Sequence, residues 1–295
     1  MAQQIEKVGV LGAGLMGHGI AQVAAQSGYQ VVVREVDEAT LEKGIGKIEK
    51  QLARAVERER MSKEEADGVR ERIRGTVQYR DLAECDFVIE AITESLPLKL
   101  EMWREVDQIV KPEAVFATNT SSLAVIDQAA ATSRPERFAG LHYFNPAQVM
   151  KLVEVIRCVT TSPEAFDTAF QFAVSEGKLA IRAKDKAGFI VNRLLVPYSL
   201  DAIRAFEEGV GSVGEIDEAM KAGAGYPMGP FTLSDFVGLD TLGHICDVLF
   251  DEFRERRFAQ PPTLRKMLSA GWQGRKSGTG FYDYSGETPV ENPGI

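Results

Sequence analysis

The chain has 295 residues, 44% of them hydrophobic and 26% charged, which is typical of a globular protein of two domains. Its net charge of −9 argues against nonspecific nucleic-acid binding, and no apolar run approaches the roughly 20 residues of a membrane span. Three scattered cysteines without a C-x-x-C motif or a His/Cys cluster indicate neither a zinc site nor disulfides. We therefore expect a cytoplasmic protein without a signal peptide, and without metal, nucleic-acid or membrane partners.

The first predicted strand, residues 8–11, leads into a glycine turn. Gly12, Gly14 and Gly17 give the spacing G-x-G-x-x-G, and a helical pattern follows directly. In this motif the first glycine permits the tight turn, the second lets the backbone approach a pyrophosphate, and the third lets the helix pack closely on the strand. The turn therefore predicts a dinucleotide site, with phosphates bound at the N-terminus of the helix.

A second match to the same spacing, residues 209–214, lacks this context. It follows a helical pattern and has no strand before it. Because glycine commonly ends helices, we predict a helix end and a loop there.

The second predicted strand, residues 29–33, ends at Arg34 and Glu35. An acidic residue about this far beyond the glycine turn binds the ribose hydroxyls of adenosine in such units. A carboxylate there favours NAD because it would repel the 2′-phosphate of NADP, although the adjacent Arg34 weakens that argument. The alternative for Glu35 is an exposed acid in a loop.

Residues 38–73 predict two charged helices that are separated near Ser62, where a Ser-x-x-Glu pattern indicates a capping box. Arg54 and Arg58 lie on this stretch, either on a solvated face or in contact with a ligand that carries phosphate. Further strands are predicted at 75–78, 86–91, 114–118 and 138–143, with possible edge strands at 152–156 and 179–182. Helices are predicted at 97–110, from 123 and at 163–176.

This alternation of strands and helices predicts an α/β fold with a parallel, doubly wound, Rossmann-like sheet. Ligands of such sheets bind at the carboxyl ends of the strands. Polar residues fall at three of these ends, at Glu94, at 118–122 and at 142–145.

Beyond a polar link at 184–188 the pattern changes to helices only, at 189–206, 217–222 and 233–251. We therefore predict a boundary near residue 185, with domains at 1–184 and 185–295, the second smaller and all-α. An apolar helical domain of this size often gains further burial in a dimer interface.

Few residues could act as a general base, since the chain has only three histidines. His142 ends a predicted strand where ligands should bind, which suits a base that takes a proton from an alcohol. Glu154 is either its buried partner or the polar face of an edge strand. His18 is expected to face cofactor or solvent, and His244 to lie in the core or an interface. Asn192, an amide in an apolar helix, needs a partner in the protein or in a substrate.

Seven ordered motifs, from about residue 7 to residue 284, resemble the L-3-hydroxyacyl-CoA dehydrogenase family, and especially its short 3-hydroxybutyryl-CoA dehydrogenases. The motifs are GAGLMG at 12–17, TNTSS at 118–122, GLHYFNP at 140–146, MKLVEV at 150–155, GFIVNR at 188–193, GYPMGPF at 225–231 and KSGTGFY at 276–282.

The resemblance implies NAD-dependent, reversible oxidation of an L-3-hydroxyacyl-CoA in fatty acid metabolism, by a homodimer joined through its C-terminal helical domain. It makes His142 the catalytic base, Glu154 its orienting carboxylate, and Ser121 and Asn192 the residues that hold the substrate oxygen. Its cofactor-binding residues are Gly12, Gly14, Leu15, Met16, Gly17, Glu35, Glu94, Lys99, Asn119 and Asn145. Arg54 and Arg58 are the candidates for contact with the acyl-CoA substrate.

The chain departs from the family pattern at several positions. Glu35 replaces the usual aspartate, Ala187 a frequent proline, Gln51 a serine and Arg58 a lysine; Arg58 keeps a cation for phosphate. Two other functions remain open at this stage. One is a dehydrogenase of a free hydroxy acid on the same fold, similar to L-gulonate dehydrogenase, and the other is an inactive dinucleotide-binding sensor.

Overall fold

The structure, a computed structural model, describes residues 2–295. Contacts within the chain divide it into two compact units, of which the first ends at Lys186 and the second is Ala187–Ile295. The first unit holds a large sheet with helices, and the second is mainly helical. The predicted fold class, a Rossmann-like sheet followed by a smaller helical part, is confirmed.

The sheet of the first unit has eight strands in the spatial order β3-β2-β1-β4-β5-β6-β7-β8. The strands are β1 (Lys7–Leu11), β2 (Gln30–Arg34), β3 (Ile73–Thr76), β4 (Phe87–Glu90), β5 (Val115–Thr118), β6 (Phe138–Tyr143), β7 (Leu152–Arg157) and β8 (Leu179–Lys184). The first six run parallel, β7 is antiparallel to β6, and β8 is parallel to β7. The predicted edge position is therefore correct for β8 and wrong for β7, which has a neighbouring strand on each side.

Six helices of the first unit connect these strands. They are α1 (Gly17–Gln26), α2 (Glu38–Glu57), α3 (Lys63–Glu71), α4 (Leu96–Ile109), α5 (Val125–Ala129) and α6 (Pro163–Ser175). The break between α2 and α3 is the predicted one, because Ser62 and Glu65 form a reciprocal capping box. The core beneath these helices includes the side chains of the central strands. Strands such as β1 and β4 carry apolar residues on both faces, and both faces are buried.

The three glycines of the turn have the geometry that the motif requires. Gly12 has a φ of +92°, a backbone conformation that side chains rarely adopt. A Cβ at Gly17 would stand 1.9 Å from the carbonyl oxygen of Gly12, whereas one at Gly14 would meet nothing within 4 Å. The turn therefore closes tightly on itself and leaves one side of its backbone open.

The second unit contains five helices: α7 (Val191–Glu207), α8 (Val213–Ala224), α9 (Pro230–Val237), α10 (Leu239–Phe253) and α11 (Pro262–Ser269). The single helix predicted at 233–251 is wrong, because Gly238, with a φ of +103°, separates α9 from α10. The expectation of helices only is also wrong, since β9 (Tyr282–Asp283) and β10 (Val290–Glu291) form a short antiparallel hairpin.

The second glycine motif is a helix end, as predicted. Gly209 has a φ of +73°, and the N–H of Val210 donates to the carbonyl of Ala205 to close the last turn of α7. Ser212 then caps α8, so Gly214 lies in the first turn of that helix.

Two buried carboxylates tie the second unit together. Asp217 accepts hydrogen bonds from the backbone N–H groups of Phe231 and Thr232 at the start of α9. Asp235 accepts from the N–H groups of Phe281 and Tyr282, which leads the chain into β9. Each carboxylate takes the place of the water that these N–H groups would otherwise bind. It therefore fixes the position of a segment by side-chain hydrogen bonds to its backbone.

Candidate active site

The predicted site residues of the first unit follow the carboxyl ends of neighbouring parallel strands. The glycine turn follows β1, Glu35 follows β2, Glu94 follows β4, residues 119–122 follow β5, and His142 lies near the end of β6. Because these ends share one edge of the sheet, residues far apart in sequence come to a common edge, where ligands of such sheets bind.

His142 and Glu154 face each other directly across the antiparallel strands β6 and β7. Residues paired in this way point to the same face, and Nδ1 of His142 lies 2.7 Å from Oε2 of Glu154. Both side chains are buried, with exposed fractions of 6% and 0%. Because a carboxylate only accepts, Nδ1 carries the proton and Nε2 is the basic nitrogen. Of the two readings of Glu154, the structure supports the buried partner.

Glu94 organises the turn that follows β5. Its Oε1 accepts hydrogen bonds from the Thr120 hydroxyl at 2.5 Å, from the Ser121 backbone N–H at 3.0 Å and from the Ser122 hydroxyl at 3.2 Å. Burial would raise the pKa of Glu94, but Lys99 and these donors lower it below its ordinary value. The carboxylate is therefore ionised, and it fixes the backbone on both sides of Ser121.

Lys99 lies in the interior, with 1% of its surface exposed. Its Nζ is 2.5 Å from Oε1 of Glu90 and 3.0 Å from Oε2 of Glu94. Glu90, the last residue of β4, is fully buried and was missed at the sequence level because it falls inside a predicted apolar strand. The sequence did contain a signal for Glu90: a single acid in a predicted buried strand, with Lys99 nine positions later. Because buried charges usually occur in pairs, these two residues could have been predicted to form one.

Glu35 turns back onto the glycine turn. Its Oε1 accepts a hydrogen bond from the N–H of Ala13 at 2.6 Å, and its Oε2 accepts from the N–H of Val36 at 3.0 Å. The side chain is 8% exposed, so it is not a loop acid open to solvent. Arg34 lies over the ring of Tyr79, 3.7 Å from its centroid, where it makes a cation–π contact.

The remaining cofactor candidates differ in exposure. Leu15 is 66% exposed on the glycine turn, beside the half-buried Met16. Asn119 accepts the backbone N–H of Tyr143 at 2.9 Å and so joins the ends of β5 and β6. Asn145 is exposed and precedes a cis peptide bond to Pro146.

Arg54 lies in the last turn of α2 and Arg58 at its C-cap, and both are exposed. Of the two alternatives for His18, the solvent-facing one is wrong, because His18 is 7% exposed, and a position facing the cofactor stays a prediction. Its Nδ1 donates to the carbonyl of Gly14 at 2.5 Å, and its Nε2 accepts from the amide of Gln51 at 3.0 Å. Burial lowers the pKa of His18, which keeps the ring neutral in this role.

In the second unit, Asn192 lies in the first turn of α7. Two residues with positive φ precede this helix, Gly188 at +75° and the buried Phe189 at +45°, so the entry to α7 is strained. His244 is exposed on α10, so the expectation of a core position is wrong within this chain.

No cluster of three or more His, Cys, Asp or Glu side chains suited to a metal ion occurs among residues 2–295. No helix in the same part of the chain is long and apolar enough to cross a membrane. A glycine turn on a Rossmann-like sheet, together with a buried imidazole–carboxylate pair at the ligand-binding edge, defines a dinucleotide-dependent dehydrogenase.

Comparison with known proteins gives the family. The model of the 3-hydroxyacyl-CoA dehydrogenase NAD-binding domain matches residues 7–186, and that of the C-terminal domain of the same enzymes matches residues 188–284. The chain belongs to the 3-hydroxyacyl-CoA dehydrogenase family, as its motifs predicted.

Relatives match over nearly the full length. A 3-hydroxybutyryl-CoA dehydrogenase of Mycobacterium tuberculosis is 45% identical over 96% of this chain and 100% of its own. The human mitochondrial hydroxyacyl-coenzyme A dehydrogenase is 44% identical over 95% of this chain and 91% of its own. The crystal structure of (S)-3-hydroxybutyryl-CoA dehydrogenase PaaH1 from Ralstonia eutropha has a TM-score of 0.93 and 40% identity, covering 96% of this chain and 100% of that one.

Proposed function

We propose that this protein catalyses the NAD-dependent, reversible oxidation of an L-3-hydroxyacyl-CoA to the 3-oxoacyl-CoA, with 3-hydroxybutyryl-CoA as the preferred class of substrate. The observation that carries the proposal is the His142–Glu154 pair at the ligand-binding edge of the sheet. Neither an inactive sensor nor a dehydrogenase of free hydroxy acids is favoured, since the relatives are named as acyl-CoA dehydrogenases along nearly the whole chain.

The chemistry of the protein side is a proton transfer. Nε2 of His142 takes the proton of the substrate hydroxyl, and the buried Glu154 stabilises the imidazolium that forms. When bound, NAD would supply the acceptor for the hydride of carbon 3. Ser121 and Asn192 hold the substrate oxygen by hydrogen bonds, so that the hydroxyl is oriented toward the base.

The glycine turn fits a dinucleotide, because Gly14 leaves open space for a pyrophosphate and α1 starts directly after it. We assign the cofactor contacts to the residues of the turn at 12–17, to Glu35 for the adenosine ribose, and to Glu94, Asn119 and Asn145 around the nicotinamide end. Arg54 and Arg58 supply exposed cations for the phosphates of CoA.

We further propose a cytoplasmic homodimer joined through the domain at 185–295, acting in fatty acid metabolism. The second unit exposes several large apolar side chains that such an interface could cover, among them Leu194 at 65%, Val210 at 73% and Phe236 at 47%. Light scattering of the purified protein tests this part, with Leu194→Arg expected to shift a dimer toward monomers.

The function is tested by a steady-state series of 3-oxoacyl-CoA chain lengths with NADH and NADPH in parallel. We expect the highest kcat/KM for acetoacetyl-CoA with NADH, and little turnover of free acetoacetate. Equal turnover of free acetoacetate would replace the acyl-CoA assignment by the hydroxy-acid one. NADH binding without turnover of any acyl-CoA would indicate a sensor.

A further inference from the structure

The carbonyl of Gly14, in the middle of the glycine turn, is held by a side chain. Nδ1 of His18, in the first turn of α1, donates to this oxygen at 2.5 Å. The part of the turn just before it has a different support, because the N–H of Ala13 donates to Glu35. His18 therefore supports the peptide unit that joins Gly14 to Leu15.

The orientation of this peptide unit decides where its N–H points. The bond is trans, so the N–H of Leu15 points away from the carbonyl of Gly14 and from the imidazole that holds it. Leu15 is 66% exposed, and a Cβ at Gly14 would meet nothing within 4 Å. Met16, the N-cap of α1, makes no side-chain cap, so the N–H groups of the first helical turn are left to water or a ligand. Turn and helix thus offer several N–H groups to an anion.

Gln51 of α2 fixes the imidazole in turn. Its side-chain amide donates to Nε2 of His18 at 3.0 Å, and His18 is 7% exposed. Burial is the main reason that the pKa of His18 is lowered, and the charge of Lys47 adds to this effect. The ring is therefore neutral, with one nitrogen that donates to the turn and one that accepts from α2. Because the family pattern has a shorter serine in place of Gln51, the contact with α2 belongs to this chain.

We propose that His18 is a positioning residue for cofactor binding, which orients the N–H of Leu15 toward the pyrophosphate of NAD while Gln51 keeps its ring in place. The proposal rests on the cofactor contacts assigned above to the glycine turn, and it does not depend on which acyl-CoA is the substrate. It predicts a loss of affinity that depends on the phosphates of the ligand and leaves the chemical step unchanged.

Two variants of similar shape separate the hydrogen bond from the volume of the side chain. In His18→Asn the amide nitrogen can take the place of Nδ1 and donate to Gly14, whereas His18→Leu has no donor. Both variants lose the contact with Gln51, so their difference reports the bond to Gly14 alone. Ser27→Ala is the matched control, because the Ser27 hydroxyl donates in the same way to a carbonyl four residues back, that of Val23, at the other end of α1.

Fluorescence titration with NADH measures the first effect. We expect the dissociation constant to rise about tenfold in His18→Leu, and to stay within about threefold of the parent in His18→Asn and Ser27→Ala. Gln51→Leu should cause a smaller rise than His18→Leu, because the bond to Gly14 remains. With NADH and acetoacetyl-CoA both saturating, kcat of the His18 variants should stay that of the parent, since the bond acts on binding alone.

A second titration shows whether the effect lies at the phosphates. ADP carries the diphosphate of the cofactor and adenosine lacks it, and each is measured by competition with NADH. His18→Leu should weaken the binding of ADP about tenfold and leave that of adenosine within about threefold of the parent. Retained adenosine binding also shows that the variant is folded.

Three results would overturn the proposal. One is an NADH affinity in His18→Leu equal to that of the parent. Another is an equal loss in His18→Asn and His18→Leu, which would show that a donor to Gly14 does not matter. The third is an equal loss of affinity for ADP and adenosine, which would mean that the substitution disturbs the whole adenosine site.

A variant of the turn distinguishes a failure of this proposal from a failure of the assigned cofactor site. The Cβ of Gly14→Ala meets no protein atom within 4 Å but takes space assigned to the pyrophosphate, so this change should weaken NADH binding. Unaltered binding in Gly14→Ala would count against the assigned site, and with it the proposal. Weakened binding in Gly14→Ala beside unaltered binding in His18→Leu would count against the positioning role alone. The titrations need no turnover, so a parent protein that failed to reduce acetoacetyl-CoA would count only against the proposed function.

Discussion

Tyr143 donates a hydrogen bond from its hydroxyl to Oε2 of Glu176, a carboxyl group buried at the end of α6. The other oxygen of Glu176 is buried without a hydrogen-bond partner among residues 2–295. Burial is the main reason that the pKa of Glu176 rises to about 8. Tyr143 directly follows His142 on β6, so its side chain points to the opposite face of the sheet from the proposed base, and the Glu176 carboxyl group, protonated at neutral pH, lies on that opposite face.

This pair predicts a loss of stability with rising pH. Below the ordinary pKa of a glutamate, Glu176 is protonated in both the folded and the unfolded chain, and its burial then causes no pH-dependent loss of folding free energy. Between that value and about 8 only the folded chain keeps the proton, so the free energy of unfolding falls as pH rises, by on the order of a few kcal/mol in total. Glu176→Gln removes this dependence.

Urea unfolding at several pH values checks the prediction. The variant should be nearly as stable as the parent at about pH 4.5 and increasingly more stable toward about pH 8. Glu164→Gln, an exposed position on the same helix, is the matched control and should show no such trend. A difference between Glu176→Gln and the parent that did not grow with pH would contradict a buried, protonated carboxyl group.

Much of the first unit could be predicted from the sequence, because its elements are marked by local signals. Parallel strands buried on both faces appear as short apolar runs. The capping box predicts the start of α3 correctly, because Ser62 is the N-cap of that helix. The parallel sheet and its ligand-binding edge then follow from the alternation of strands and helices.

The errors arose where distant contacts decide the structure. β7 is internal because β8, which was itself predicted as a strand, pairs with its outer side, and no local pattern predicts that pairing. Gly238 separates two helices that share one apolar period, and its positive φ depends on the surrounding chain. Glu90 was hidden in an apolar strand, since the lysine that neutralises it comes from the following helix. His142 pairs directly with Glu154 because of the register between the antiparallel strands β6 and β7, and the sequence alone does not determine that register.

The imidazole–carboxylate pair gives a kinetic prediction. His142→Gln removes the basic nitrogen and should lower kcat by about 10² to 10⁴-fold while NADH binding persists, because a general base contributes about that much. Glu154→Gln keeps the shape but no longer stabilises the imidazolium, and it should also lower kcat strongly. Steady-state reduction of acetoacetyl-CoA and fluorescence titration with NADH measure the two effects. Turnover by His142→Gln close to that of the parent would disprove the assignment of the base.

The contact of Glu35 with Ala13 gives a prediction for the cofactor. Glu35→Ala removes a carboxylate that lies beside the glycine turn, and should raise the KM for NAD by about tenfold through the lost ribose hydrogen bonds. The KM for the acyl-CoA should change little, and relative activity with NADP should rise because the repulsion of its 2′-phosphate is gone. Glu38→Ala, an exposed position at the start of α2, is the control. An unaltered NAD affinity in Glu35→Ala would exclude the ribose role.

The last prediction concerns why glycines recur in the KSGTGFY motif near the C-terminal hairpin. A Cβ at Gly280 would stand 2.0 Å from Oδ1 of Asp235, the carboxylate that accepts the N–H groups of Phe281 and Tyr282. Gly280→Ala should therefore displace this buried carboxylate and lower the free energy of unfolding by about 2 kcal/mol or more, as expected for a broken buried network. Gly223→Ala is the matched control, because Gly223 lies within α8 with nothing within 4 Å of an added Cβ. That change should instead stabilise the protein by about 0.5–1 kcal/mol, the helix preference for alanine. Urea unfolding of both variants measures the difference, and equal effects of the two would show that the contact with Asp235 does not require a glycine.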